Sequence, residues 1–321
     1  SPAGVDPDNP SDVVVQAYAG ADAAVIMSWY PDLHSRKLGA YACVQHQTKQ
    51  VSMYQLATFD VLSSPAARFP IPLMFEIMRR MANETHGRQI RITNELGTDL
   101  VVKAPPQMEK MITGIAEGLY TTDVAAMTTL RKGFRSHFPP AVLGFVPIDG
   151  YGVFYPNETV ITGPLTEPVK VTVEGRYITN IEGGEQAEAL KAFINGPGKT
   201  PGPKPLVEAM WGLSPKARLH GANATQVERE RHAGTLHLGI ATYQYQRPDL
   251  NLTGWQETGD IWPSHVDCFL ETPSMWFDGE LLVDRRKLLL LEDPAIREMA
   301  RQFGDPDELL KPGTPYEGLT C

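Results

Sequence analysis

Short runs of β-branched and apolar residues open the chain, and segments of helical period separate them. Residues 12–16 and 23–28 have the composition of buried strands. Residues 72–83 (PLMFEIMRRMAN) place apolar side chains at helical spacing opposite a basic face, and Gly87 follows as a helix end. This order of elements predicts a small α/β domain over residues 1–86.

Alternation of apolar and polar residues takes over from residue 89 onward. The alternating stretches are 89–95 with 98–104, and 169–173 with 177–181. Each pair flanks a glycine-containing turn, which is typical of a β-hairpin. Residues 185–194 are amphipathic at helical period, and the Gly/Pro-rich stretch 195–205 predicts a loop. We therefore predict an α/β (α+β) fold in which a larger, mainly antiparallel metal-binding domain covers residues 87–321.

Composition narrows the class of partner. The chain has 321 residues, 42% of them hydrophobic, and a net charge of −9 with a pI near 5.4. It carries no block of Lys and Arg, so nucleic acid and anionic membrane are not expected as partners. The longest apolar stretches fall far short of the roughly 20 residues that a membrane helix needs. A small-molecule or peptide substrate fits this composition.

The cellular compartment follows from the cysteines and the first residues. Cys43, Cys268 and Cys321 are odd in number and widely spaced, which does not suggest a disulfide framework. The opening residues SPAGVDPDNP lack the basic and apolar regions of a signal peptide. We expect a reducing, cytoplasmic location.

The sharpest chemical motif is the pair His265 and Asp267, two residues apart in a stretch that reads as extended. Alternate residues of a strand face the same side, so both side chains can point at one metal ion. The alternative is a His–Asp hydrogen bond on a surface strand, and the motif alone does not decide between them.

Two further polar residues lie in apolar surroundings. His237 interrupts the run TLHLGI, where a histidine is more often a satisfied core residue than a ligand. Glu208 lies in LVEAMW, and a carboxylate buried there without a partner would cost several kcal/mol. One divalent ion bound by both residues together with His265 and Asp267 would account for all of them.

The donor set predicts the kind of metal. Carboxylate and imidazole together suit Fe(II), Mn(II) or Zn(II), and the lack of a cysteine pair disfavours a closed structural zinc site. A catalytic metal is therefore the favoured hypothesis. The remaining histidines have no carboxylate or second histidine at ligand spacing, and a solvated surface is expected for each: His46, His86, His137, His220 and His232.

Candidates for contact with the substrate are fewer. His34 follows a predicted strand of the first domain, where strand-end loops often face an active site. Glu158 and Asp99 follow the same logic, although a solvated or capping carboxylate is the commoner outcome. The glycine-rich stretches do not open a helix after a strand, so nucleotide binding is not indicated.

Several segments resemble a known family. They are YPNE at 155–158, YITNIEGG at 177–184 with AE at 187–188, WGLSPKA at 211–217 and PSHVD at 263–267. They are similar to segments of 2,5-dihydroxypyridine 5,6-dioxygenase, a ring-cleaving enzyme within a wider group that includes aminopeptidases of the T type. The resemblance covers roughly residues 89–284 and, more faintly, 21–64.

The resemblance implies a mononuclear Fe(II) held by two histidines and one aspartate, of which the last two match His265 and Asp267. The other histidine falls at Glu208, where the aminopeptidases carry glutamate, and they carry histidine at His237. The glutamate that they need for a second metal is matched by Gly152. His34 matches a dioxygenase histidine that contacts the substrate.

We therefore expect an Fe(II)-dependent dioxygenase that takes O₂ and a small hydroxylated aromatic or N-heteroaromatic substrate, such as a dihydroxypyridine. Glu208, His237, His265 and Asp267 would bind the metal, and His34 or Glu158 would accept a substrate proton. As in the family, a homo-oligomer is expected. The alternatives are an aminopeptidase that uses Zn(II) or Co(II), and a non-catalytic metal-binding module.

Overall fold

The computed structural model describes residues 11–26, 49–52, 64–106, 135–137, 142–145, 147–196, 203–220, 224–240 and 265–313. In these ranges the helices are α1 Asp12–Ala19, α2 Ile71–Thr85, α3 Glu185–Asn195, α4 Gln226–Arg229, a 3₁₀ helix Leu289–Glu292, α5 Pro294–Ala300 and α6 Pro306–Leu309. The strands are β1 Ala23–Ile26, β2 Lys49–Ser52, β3 Gln89–Thr93, β4 Asp99–Lys103, β5 Arg135–His137, β6 Val142–Phe145, β7 Asp149–Phe154, β8 Glu158–Thr159, β9 Gly163–Pro164, β10 Lys170–Glu174, β11 Tyr177–Glu182, β12 Lys204–Gly212, β13 Leu236–Ile240, β14 Val266–Leu270, β15 Ser274–Phe277, β16 Glu280–Asp284 and β17 Lys287–Leu288.

The first element differs from the prediction. Residues 12–16, predicted as a strand, belong to helix α1. Its valines cost only a few tenths of a kcal/mol each in a helix, so the β-branched composition was weak evidence for a strand. Asp12 in the first turn also favours the helix through the helix dipole. The strand predicted at 23–28 is confirmed over residues 23–26 as β1, and residues 27–28 lie outside the described residues.

A parallel sheet follows α1. It has the order β1-β2-β5 among the described residues, and both neighbouring pairs run parallel. Strand β5 comes from beyond residue 86, so this sheet draws on more of the chain than the predicted first domain. The domain boundary at residue 86 remains a prediction.

Helix α2 confirms the helix predicted at 72–83. It buries Leu73, Ile77 and Met81 completely, which places one apolar stripe of the helix in the core. The helix contacts β6, the 3₁₀ helix and α5. Gly87, with φ +64°, follows it and turns the chain into β3.

The larger sheet is antiparallel. Its order is β17-β16-β15-β3-β4-β7-β10-β11-β12-β13-β14-β8-β9 within the described part of the chain, and β6 pairs with β12 off this path. Strands β3 with β4 and β10 with β11 are the two predicted hairpins. Gly97, Gly175 and Arg176 have positive φ angles in their turns. A mainly antiparallel sheet with a few helices confirms the predicted α+β class.

The hydrophobic core lies against one face of this sheet. Trp211 on β12 is buried, and its ring stacks edge-to-face with Phe145 at 5.4 Å and with Phe277 at 5.7 Å between centroids. These three rings join β6, β12 and β15. The other face of β12 is therefore free to carry polar residues.

Among the described residues, no helix is both long enough and apolar enough to cross a membrane.

A buried ion pair anchors the chain that leads into β13. Arg218 donates from Nε and Nη2 to the Glu228 carboxylate, the latter bond at 2.6 Å, and both side chains are buried. Bidentate guanidinium–carboxylate bonds are among the stronger polar contacts in proteins. This pair fastens α4 to the segment after β12.

Replacement of Arg218 should therefore destabilise the protein. Arg218→Met leaves the Glu228 carboxylate buried without its cation, and we expect a loss of about 3–5 kcal/mol in the free energy of unfolding, measured by urea denaturation. The double variant Arg218→Met/Glu228→Leu should recover much of this loss. The matched control is Arg301→Met on the exposed pair with Glu298, and an equal effect in both single variants would contradict the prediction.

Candidate metal centre

The register of three adjacent strands places two carboxylates in one row. Glu208 on β12 pairs with Gly239 on β13, and Gly239 pairs with Asp267 on β14. Directly opposed residues of antiparallel strands point to the same face. The carboxylates of Glu208 and Asp267 therefore flank Gly239 on the face away from the core.

Two histidines lie on the same face. His237 precedes Gly239 by two residues on β13, and His265 precedes Asp267 by two residues, immediately before β14. Side chains two residues apart on a strand point to the same face. His237 therefore lies on the face of position 239, and His265 lies on the face of Asp267. We call the surface formed by Glu208, His237, His265 and Asp267 the polar face.

The intervening residues point into the core. Ala209, Leu238 and Cys268 are fully buried members of the hydrophobic cluster. Burial raises the pKa of the Cys268 thiol, and the Asp267 charge raises it further. Cys268 is thus a neutral core residue rather than a nucleophile.

The four polar side chains are in mutual contact. His265 Nε2 donates to Asp267 Oδ1 at 2.7 Å and lies 3.3 Å from Glu208 Oε2. His237 Nε2 lies 3.6 Å from Glu208 Oε1. Ligand atoms of Glu208, His237 and Asp267 all lie within 4.8 Å of one another. The structure brings together all four residues for which the sequence predicts metal binding.

On the polar face, the histidines and carboxylates stabilise one another in their charged forms. Burial alone would lower the pKa of His237 and His265, but nearby carboxylates outweigh it and raise these pKa values to about 9 and about 10. Burial raises the pKa of Glu208, whereas the two neighbouring histidines lower it more, and the result is well below its usual range. The two carboxylates thus stabilise the protonated forms of the two histidines. The combined charge of these histidines, +2, equals that of one divalent cation.

The residues present fit a metal ion. Carboxylate oxygens and imidazole nitrogens are the donors that Fe(II), Mn(II) and Zn(II) share. Gly239 leaves the required space, because a Cβ there would lie 2.5 Å from His265 Cε1 and 2.7 Å from Glu208 Cβ. His237 Nδ1 is buried without a hydrogen-bond partner among the described residues. The site is therefore a pocket of converging donors around a glycine.

Glu158 lies on the same face, two strands from His237. Phe269 on β14 pairs with His237 on one side and with Glu158 on the other. The carboxylate is mostly buried, and its Oε1 accepts a 2.6 Å hydrogen bond from Arg229 Nη2. Glu158 is thus neither a solvated carboxylate nor a helix cap. His34 lies outside the described residues.

The segment 228–232 (ERERH) contains residues that sequence reasoning missed. Arg229 reaches Glu158, and the buried Glu230 carboxylate acts electrostatically on His237 and Asp267. Burial raises the pKa of Glu230. The available signal was a run of charges immediately before an apolar strand, which usually indicates a solvated turn.

His232 corrects a further expectation. It is buried rather than solvated, and its Nδ1 lies 2.8 Å from the Ala217 carbonyl oxygen. Burial lowers its pKa to about 4, so the ring is neutral at pH 7. His220 is exposed as expected, with 66% of its side chain accessible.

The position of Gly152 admits no side chain in this backbone. Its φ is +124°, and a Cβ would lie 2.2 Å from the Asp99 carbonyl oxygen across the β4–β7 pair. L-residues rarely adopt that conformation. A glutamate for a second metal cannot be placed here without a change of the strand pairing.

Fold and site together define an α+β protein with a possible single-metal centre on an antiparallel sheet. A family model, NicX: 2,5-dihydroxypyridine 5,6-dioxygenase, matches residues 11–289, so the chain belongs to that family and is dioxygenase-like. No curated protein matches the sequence significantly.

Two solved structures are similar to this chain. The 2,5-dihydroxypyridine dioxygenase from Pseudomonas putida KT2440 shares 17% identity at a TM-score of 0.51, over 86% of this chain and 74% of that one. AmpT from Thermus thermophilus shares 13% identity at a TM-score of 0.46, over 90% of this chain and 82% of that one. The first likeness supports the same overall fold.

Gly239→Ala tests the metal site without removing a ligand. The added methyl group would displace His265 and Glu208, and we expect affinity for Zn(II) or Fe(II) to fall roughly 10- to 100-fold, measured by calorimetry. The control is Gly313→Ala, where a Cβ meets nothing within 4 Å. Unchanged affinity in a folded Gly239→Ala protein, with folding checked by circular dichroism, would refute the site.

Proposed function

We propose that this chain is a non-haem Fe(II)-dependent dioxygenase that cleaves a hydroxylated aromatic or N-heteroaromatic ring, such as a dihydroxypyridine. The single observation that supports it most is the polar face, in a chain that belongs to a dioxygenase family. The family implies O₂ and a small molecule as the reactants. A homo-oligomer, a cytoplasmic location and a domain boundary at residue 86 are parts of the same proposal.

Glu208, His237, His265 and Asp267 would hold the ion. All four side chains project from one face of the sheet, and their carboxylate and imidazole groups are donors that suit such an ion. Bound Fe(II) would supply a path for electron density from a substrate oxygen to O₂. Mn(II), Zn(II) and Co(II) are accepted by similar donors, so the metal itself has to be measured.

The remaining residues would handle the substrate proton and water. Burial of Glu208, His237 and His265 excludes solvent and strengthens the charge interactions at the site. His34 is proposed to accept the phenolic proton as the substrate binds, with Glu158 as the second candidate. Glu158 Oε1 is engaged by Arg229, which leaves Oε2 for that role.

An aminopeptidase is the competing function. Glu208 and His237 suit its pattern, but Gly152 stands where the resemblance requires a second-metal glutamate, and the backbone there admits no side chain. Activation of water between two metals would lack that ligand. We therefore keep peptidase activity as an outcome of the test.

The test is oxygen consumption by protein loaded anaerobically with Fe(II), with dihydroxypyridines and dihydroxybenzoates as substrates. We expect Glu208→Ala and His265→Ala to lower the rate roughly 100-fold or more, because each removes a metal ligand. His220→Ala, an exposed histidine, is the matched control and should retain the wild-type rate.

Two other outcomes would reject the proposal. Hydrolysis of aminoacyl anilides with Zn(II) or Co(II), without oxygen uptake on any ring, would assign the chain to the peptidases. Tight metal retention with neither activity would indicate a non-catalytic binding module.

A further inference from the structure

The pair Arg229–Glu158 lies at one end of the polar face. Met210, His237, Phe269 and Glu158 are successive register partners across β12, β13, β14 and β8. Because neighbouring strands lie about 4.8 Å apart, Glu158 lies about 10 Å from His237 along the sheet. This separation suits the two ends of a single-ring substrate that has one end on the metal.

Side-chain exposure shows which side of the site is open. The exposed fraction is 2% for His265, 6% for His237 and 10% for Glu208. It rises to 17% for Asp267 and to 24% for Arg229. Asp267 and Arg229 are thus the more exposed side chains of this group.

Phe269 lies between the two ends. It is 3% exposed and points to the polar face, because its partners His237 and Glu158 do. It stands apart from the main hydrophobic cluster that covers the opposite face. Phe269 thus provides a buried apolar side chain between the polar groups at the two ends.

The guanidinium of Arg229 has hydrogen-bonding capacity left. Nη2 donates to Glu158, whereas Nε is buried without a partner among the described residues. A buried charged donor that lacks an acceptor is costly, and such groups often serve a ligand. Glu158 Oε2 offers an acceptor beside these donors.

We propose that Arg229, held in place by Glu158, is a specificity-determining residue that recognises the substrate edge remote from the metal. A donor beside an acceptor complements a ring edge on which C=O lies next to N–H, as in a 2-pyridone. A carbocyclic ring with the same hydroxyl groups lacks that N–H. This assignment rests on the proposed function for its substrate.

The experiment compares 2,5-dihydroxypyridine with hydroquinone, its carbocyclic counterpart, on Fe(II)-loaded protein. In Arg229→Met we expect KM for the pyridine to rise about 10- to 100-fold and KM for hydroquinone to rise much less, because a phenolic oxygen is a weaker acceptor than the pyridone carbonyl, while kcat and metal affinity change little. A merely structural role would weaken both rings equally, and that result would overturn the proposal.

A charge-swapped variant separates recognition from folding. Glu158→Arg/Arg229→Glu keeps the ion pair but exchanges donor and acceptor, so stability should be retained while the difference between the two rings in binding to the Zn(II)-loaded protein, measured by calorimetry, is lost. Wild-type discrimination in the swapped protein would contradict our assignment. Arg301→Met, on an exposed ion pair, is the control for loss of a positive charge.

A binding measurement that needs no turnover distinguishes failure of the dioxygenase proposal from failure of the Arg229 proposal. If the wild-type protein consumes O₂ with neither ring, the dioxygenase proposal fails, and calorimetry with 2-pyridone on the Zn(II)-loaded protein tests Arg229 alone. Weaker binding in Arg229→Met than in wild type supports the recognition role. Equal binding, or no binding to wild type, overturns it.

Discussion

The site depends on mutual neutralisation of charges that the fold buries on one sheet face. Each ion of a buried pair loses several kcal/mol of hydration, so neither Glu208 nor Asp267 is tolerable there alone. The neighbouring imidazoles make their burial possible, and a divalent cation would do the same. Gly239, between the two carboxylates, is the only type of residue that leaves room for this arrangement. The register of β12, β13 and β14 is therefore the constraint on which the site rests.

Residues 228–232 form a short segment whose contacts support the polar face. In residues 228–232, Glu228 fixes the segment through Arg218, Arg229 holds Glu158, and Glu230 adds a buried carboxylate near His237. Such outer contacts orient metal-binding side chains and are costly to lose. Because the segment leads directly into β13, the position of His237 is tied to the same anchor.

Membership of the dioxygenase family fits this arrangement with one difference in charge. The sequence resemblance implies a dioxygenase histidine at the position of Glu208, so these four residues carry one more negative charge than two histidines and one aspartate. His237 provides the additional imidazole next to it. A carboxylate is a harder donor than imidazole, so under the proposed function the site would accept a wider range of divalent ions.

The sequence by itself determined the local elements and the residue types of the site. Helix α2, both hairpins and the strand character around His237 follow from periods of 3.6 and 2, which need no knowledge of distant contacts. Helix α1 was mispredicted because a run of valines is only weak evidence for a strand. Glu208, His237, His265 and Asp267 stood out as polar residues in apolar strands. Only the tertiary structure decided that Gly239 separates two of them and that Arg229 meets Glu158 across 71 residues of chain. Strand register and long-range ion pairs arise from the packing of the whole sheet, and local periodicity carries no information about them.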